Sequence, residues 1–199
     1  MTFDHRKIII KENKNNPQAR FYLSYTNNRN DPDTKAKSYQ ILSRLAKGRA
    51  VIMEVNTSLT TLESKEKEPA IYKLVTGFRE MEIDYRYQKY EANESGKTLL
   101  GLFSFKTMAT VHSVFAYIPE PIWEKAQFRE LLPTYGARYY ICNEQSDAKK
   151  LFEDFASGRI LDCEKTDLFV FIIFDSSDFG QMGVNTKLPK AELEKLLEV

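Results

Sequence analysis

The sequence predicts an α+β fold: a mixed, largely antiparallel sheet with an antiparallel meander in its middle, a C-terminal βαβα part, and helices packed against the sheet. Three observations predict it. Met81 to Lys89 alternates strictly, with Met81, Ile83, Tyr85 and Tyr87 on one side and Glu82, Asp84, Arg86 and Gln88 on the other. That period of two belongs to a half-exposed antiparallel strand. Leu168 to Asp175 is apolar through Phe174 and short, as in a strand buried on both faces. Between these two, Ala148, Leu151, Phe152, Phe155 and Ala156 recur at helical spacing.

Composition sets the outer limits. The 199 residues are 42% hydrophobic and 29% charged, which excludes a disordered chain and leaves enough length for a self-sufficient core. One domain over 1–199 is the expected organisation, with 119–136 as the place where a subdivision would fall. Only 8 glycines are present, too few for folds built on several glycine-lined phosphate loops. The longest apolar run is far below membrane-spanning length, and the polar start Met1 to Lys7 does not resemble a signal peptide. The sequence therefore predicts a cytoplasmic protein with no membrane contact. Cys142 and Cys163 fit no zinc spacing, so no metal and no cofactor is expected.

The elements follow in order. Lys7 to Ile10 and Phe21 to Tyr25 read as strands, separated by a polar stretch rich in Asn and Lys. After a turn-forming loop, Asp33 or Thr34 caps a helix bearing Tyr39, Leu42, Leu45 and Ala46 on one face, and Gly48 ends it in left-handed geometry. Ala50 to Val55 reads as a buried strand, and Asn56 to Glu68 as a polar excursion. Pro69 to Phe78 suits strand and helix equally. Asn93 to Gly96 reads as a turn, followed by strands at Leu99 to Lys106 and Thr110 to Ile118. Pro119 and Pro121 introduce a short helix with Ile122, Trp123, Ala126 and Phe128. Tyr139 to Cys142 is a strand, and Ser146 or Asp147 caps the helix that Gly158 ends. Asp178 to Lys187 reads as a loop, and Leu188 to Leu197 as a final helix with Pro189 in its first turn.

Candidate sites are few. The stretch Asp175 to Gly183 places Asp175, Ser177 and Asp178 beyond the end of an apolar strand, where ligands bind in open sheets and where carboxylates can meet a hard cation. The same residue types are also the commonest turn formers. Asp178-Phe179-Gly180 is the tripeptide that holds metal in protein kinases, but here it stands without the glycine-rich loop, paired Lys and Glu, or catalytic loop that such chemistry needs. The charge is uneven: the first 49 residues carry most of the excess cations, including Arg20, Arg29 and Lys35, which could meet phosphates. His5 and His112 have no evident catalytic partner. Tyr85, Arg86 and Tyr87 form a candidate protein interface, since tyrosine offers apolar area and a polar tip; the alternative, which the alternating strand favours for Tyr85 and Tyr87, is packing beneath a helix. The residues favour a non-catalytic binding or regulatory protein, of inhibitor, immunity or accessory type, with a protein partner. The alternative is an enzyme or binding protein for a phosphorylated, nucleotide-like or RNA ligand, using the basic N-terminal region and the Asp175 to Asp178 loop.

Overall fold

The computed structural model describes residues 8–14, 19–26, 33–56, 69–97, 104–123, 125–131, 137–157, 166–174 and 180–198. The strands are β1 (Ile9–Glu12), β2 (Phe21–Thr26), β3 (Ala50–Asn56), β4 (Tyr85–Lys97), β5 (Ser104–Ile118), β6 (Ala137–Cys142), β7 (Leu168–Phe174) and β8 (Gly180–Thr186). The helices are α1 (Asp33–Ala46), α2 (Pro69–Glu80), α3 (Glu120–Trp123), α4 (Ala126–Leu131), α5 (Gln145–Ala156) and α6 (Lys190–Leu197). All eight strands join one sheet in the order β1-β2-β8-β7-β6-β3-β5-β4. Every neighbouring pair is antiparallel. The expected α+β architecture is present, and the antiparallel middle and the strand Leu168–Phe174 lie in the same sheet.

Alternation along the strands sends side chains to two faces. One face carries Leu23, Met53, Val114, Tyr139, Val170 and Val184 and is covered by the apolar stripes of α1, α2 and α6, with Trp123 and Phe128 from α3 and α4. The other carries Ile52, Phe115, Tyr140 and Phe169 and is covered by α5 through Leu151, Phe152 and Phe155. Phe155 meets Phe115 edge-on at 4.0 Å between centroids, and Phe152 meets the same ring at 5.3 Å. A buried phenylalanine is worth roughly 1.5–3 kcal/mol, so these three rings anchor the helix.

Several elements differ from expectation. Residues 180–186, read as loop because Gly and Gln interrupt them, form β8 between β2 and β7. The C-terminal part is therefore β6-α5-β7-β8-α6. Gly183 is required there, because a Cβ at that position would lie 2.3 Å from Cζ of Phe171 on the neighbouring strand. Pro69–Glu80 is a helix, decided by the packing of Ile71, Leu74, Val75 and Phe78 into the larger core. The alternating segment enters the sheet only at Tyr85. Before it, the chain turns at Glu82, whose φ of 55° is left-handed. The turn expected at Asn93 to Gly96 lies inside β4, which stays paired with β5 as far as Lys97. Helix α5 begins at Gln145, so Ser146 and Asp147 occupy its first turn and do not cap it. Gly48 does adopt the left-handed conformation, with φ of 70°, just past the end of α1. Among the described residues no helix is long and apolar enough to cross a membrane.

Candidate functional site

The β4–β5 hairpin reaches beyond the rest of the sheet. β3 pairs with β5 only from Ser113 to Ile118. Past Ser113, nine successive pairs, from Lys89↔His112 to Lys97↔Ser104, continue between β4 and β5 alone. Among the described residues no third strand joins them. At about 3.4 Å per residue the two-stranded ribbon extends on the order of 30 Å. Both of its edges present backbone N–H and C=O groups in the plane of the sheet.

The root of the ribbon is polar on both faces. On the larger-core side, the Tyr87 hydroxyl and Nδ1 of His112 are hydrogen-bonded, with ring centroids 5.9 Å apart. On the α5 side, Gln88 and Ser113 stand opposite each other, both buried, and among the described residues neither Oε1 of Gln88 nor Oγ of Ser113 has a hydrogen-bond partner. Two positions along the same face, opposite Phe115, Glu54 of β3 is buried at 2% exposure. Its Oε2 accepts from the Tyr140 hydroxyl at 2.9 Å and lies 3.6 Å from Nη1 of Arg138. Arg138 also donates to Oδ1 of Asn56 at 3.2 Å and is 38% exposed, so one end of this network reaches water.

A second feature lies at the opposite end of the sheet, where β3 begins. Arg49 follows the left-handed Gly48, donates from Nη1 to the Leu45 carbonyl at 2.9 Å, and from Nε to Oδ1 of Asn143 at 2.8 Å. Three surface grooves, of about 680, 240 and 450 Å³, share Arg49 as a wall. The largest runs between the ends of α1 and α6 and gathers Arg44, Lys47 and Lys195 around Leu188 and Leu196. Arg44 donates to the Leu197 carbonyl and pairs with Glu198 at 3.1 Å.

Of the residues singled out from sequence, Arg20, Lys35, Tyr85, Arg86 and Tyr87 lie among the described residues. Asp175, Ser177, Asp178 and Arg29 lie outside the described residues, as do His5 and Cys163. Lys35 stands in the first turn of α1. Arg20 donates to the carbonyls of Thr186 and Leu188 at 3.4 and 3.3 Å, pairs with Glu12 at 3.5 Å, and lies over the Phe21 ring. These contacts fasten β2 to the turn before α6. Arg20 is thus at the end of the sheet where β7 begins.

Tyr85 and Tyr87 pack partly against the larger core; Tyr85 accepts from Nε of Arg79 at 2.8 Å and touches Phe78. Arg86 points to the α5 side, pairs with Asp84 and lies over the Phe152 ring. Sequence reasoning missed Arg49, Glu54 and the ribbon. The cation excess of the first 49 residues was the one signal pointing toward the Arg49 grooves.

The shifted groups do not resemble catalytic ones. Burial pushes the Tyr25 hydroxyl up to about 12, partly offset by its 2.8 Å bond with Ser38. Burial likewise raises Tyr139 and takes the Cys142 thiol up to about 12, with Asp167 and Asp147 adding to the rise. A thiol so placed stays protonated at neutral pH and is a poor nucleophile. The hydrogen bond to Tyr85 raises the exposed Arg79. No cluster of three or more metal-ligating side chains occurs among the described residues. No family model, curated protein or solved structure matches this chain.

Proposed function

We propose that this chain is a non-catalytic cytoplasmic binding protein that recognises a protein partner through the β4–β5 ribbon. The observation that carries the reading is the run of nine pairs with no third strand. Backbone groups along such edges accept an added strand from another chain, with main-chain hydrogen bonds giving affinity and alternate side chains giving specificity. A ribbon of this length, held by only two strands, is marginal by itself, and a docked strand would complete it.

The test replaces residues 91–110 by an Asn-Gly turn joining Tyr90 to Val111, which leaves the pairs from Tyr85 to Gln88 and the core intact. A photo-crosslinking residue at Lys89, which the full and the shortened chain both keep, is expected to capture one defined host protein from the full chain. A crosslinker at Lys149 on α5 should not capture it, and the shortened chain should lose it. Equal capture from Lys149, or capture that survives shortening, refutes the reading.

A second reading has its own support: Arg44, Lys47 and Arg49 from the basic N-terminal region line one groove with Lys195. A phosphorylated, nucleotide-like or RNA ligand would meet mainly the ammonium groups, because the guanidinium of Arg44 bonds the Leu197 carbonyl and that of Arg49 bonds the Leu45 carbonyl. Saturable binding of ATP or a short oligoribonucleotide, abolished by Lys47→Glu with Lys195→Glu, would support this reading. Absence of saturable binding to the parent chain refutes it.

A further inference from the structure

The edge strand carries a charge pattern that fits itself. Resting on the reading of the ribbon as a recognition surface, we propose that the outer edge of β4 pairs with the same edge of a second copy of this chain, antiparallel, about a two-fold axis at Tyr90.

β4 ends the sheet, and among the described residues nothing pairs with its outer edge. Sheet proteins blunt such edges with short strands, prolines, bulges or charges, lysine above all. β4 spans 13 residues, contains no proline, and pairs with β5 without a register break; its protection is confined to charges, and these are of both signs. An edge left long and regular is a template for another strand.

Symmetry then limits the register. In an isologous pair, if residue i opposes residue j then j opposes i. For antiparallel strands related by a two-fold axis perpendicular to the sheet, the residue at the axis opposes its own copy. Only registers centred on a single residue are therefore allowed. With Tyr90 at the centre, Lys89 opposes Glu91 of the second copy and Arg86 opposes Glu94 of the second copy, and both contacts recur by symmetry. Opposite charges directly across a strand pair stabilise it, and like charges destabilise it.

The neighbouring registers are worse. Centring on Lys89, Glu91 or Glu94 sets that charge against itself. Centring on Asn93 sets Lys89 against Lys97. Centring on Gln88 or Ala92 yields no ion pair between charged residues of the strand. The Tyr90 register alone combines opposite-charge contacts with no like-charge contact. It runs from Tyr85 opposite Ser95 to the reciprocal pair, and would join two eight-stranded sheets edge to edge. The inner edge of β5 beyond Ser113 stays open for a different partner.

The experiment measures the mass of the purified full chain by sedimentation, and then by disulfide trapping in a Cys163→Ser background. Cys142 is buried and does not interfere. The parent should be a dimer at about 100 μM, a concentration that detects even modest self-affinity. Tyr90→Cys should give a disulfide-linked dimer under mild oxidation, and Tyr85→Cys should not. Arg86→Glu with Lys89→Glu should weaken dimerisation by about 100-fold or more, since four attractive contacts become repulsive. Adding Glu91→Lys and Glu94→Lys should restore it to within about tenfold of the parent.

A monomeric parent overturns the inference. So does a dimer unaffected by the double reversal, a fourfold swap that fails to restore it, or equal trapping at Tyr85→Cys. If the parent is monomeric while shortening the ribbon still abolishes capture of a host protein, this inference falls and the proposed function stands. If the dimer forms as described but host capture ignores the ribbon, the proposed function falls alone.

Discussion

Substituting Gly183 tests the cross-strand packing that makes residues 180–186 a strand. A methyl group at Gly183→Ala would lie 2.3 Å from Cζ and 2.4 Å from Cε1 of Phe171, well inside van der Waals contact. The ring must swing off the sheet, where it also contacts Phe169 at 5.7 Å. Forcing a methyl into a filled space costs about 1–3 kcal/mol. Replacing glycine in a strand regains about 0.5–1 kcal/mol of backbone entropy. The net loss expected is about 1–2 kcal/mol, read from the urea midpoint, or a Tm lower by roughly 2–4 °C per kcal/mol for a chain this size. Phe171→Ala removes the obstruction. In that background Gly183→Ala should be neutral or stabilising by up to about 1 kcal/mol, a reversal of sign. If the substitution costs the same in both backgrounds within about 0.3 kcal/mol, the ring does not dictate the glycine and the reasoning fails.

Ser113→Ala should leave stability unchanged or raise it by up to about 1 kcal/mol, because it removes a buried hydroxyl that has no partner among the described residues; a loss above that in chemical denaturation contradicts it. Arg138→Met should cost about 2–4 kcal/mol by leaving the Glu54 carboxylate buried with less compensation, while Arg138→Met combined with Glu54→Met should recover much of that loss; a double-mutant cycle with no coupling refutes the ion pair. Tyr25 is protonated in the fold up to about pH 12 but only to about 10 when unfolded, so the unfolded state releases protons first as pH rises. This group should add no pH dependence through neutral pH and a decline on the order of 2–3 kcal/mol from about pH 10 toward 12; the raised Cys142 thiol starts its own decline from about pH 9, so Tyr25→Phe should remove only the Tyr25 share in a pH series of urea titrations. In a Cys163→Ser background, Cys142 should react with an aromatic disulfide reagent only as fast as the protein unfolds; rapid labelling in buffer would show the thiol to be accessible.

Local pattern was enough where one segment decides its own structure. The stripe from Ala148 to Phe155, the apolar strand Leu168–Phe174 and the left-handed Gly48 are all legible because spacing or a single φ specifies them. β8 was not legible, because Gly180 and Gly183 look like turn residues until Phe171 is known to lie across the strand. The same holds for Asn93 to Gly96, whose turn composition is overridden by pairing with Phe105 to Met108. Glu54 could not be singled out, since its significance comes from Tyr140 and Arg138, both distant in sequence. The Arg49 grooves depend on α6 lying beside α1, which charge counting along the chain cannot reveal.

The position of β2 in the sheet has a consequence for biosynthesis. It pairs with β8, the last strand in chain order, with Phe21 opposite Val184. A ribosome releases β2 well before its inner neighbour, which emerges only after β3 to β7. The β1–β2 hairpin must therefore wait, with Phe21, Leu23 and Tyr25 uncovered, while β3 to β7 assemble. Closing so long a loop is slow, and until it closes the nascent chain exposes both the hairpin and the near edge of β7 to other strands in the cell.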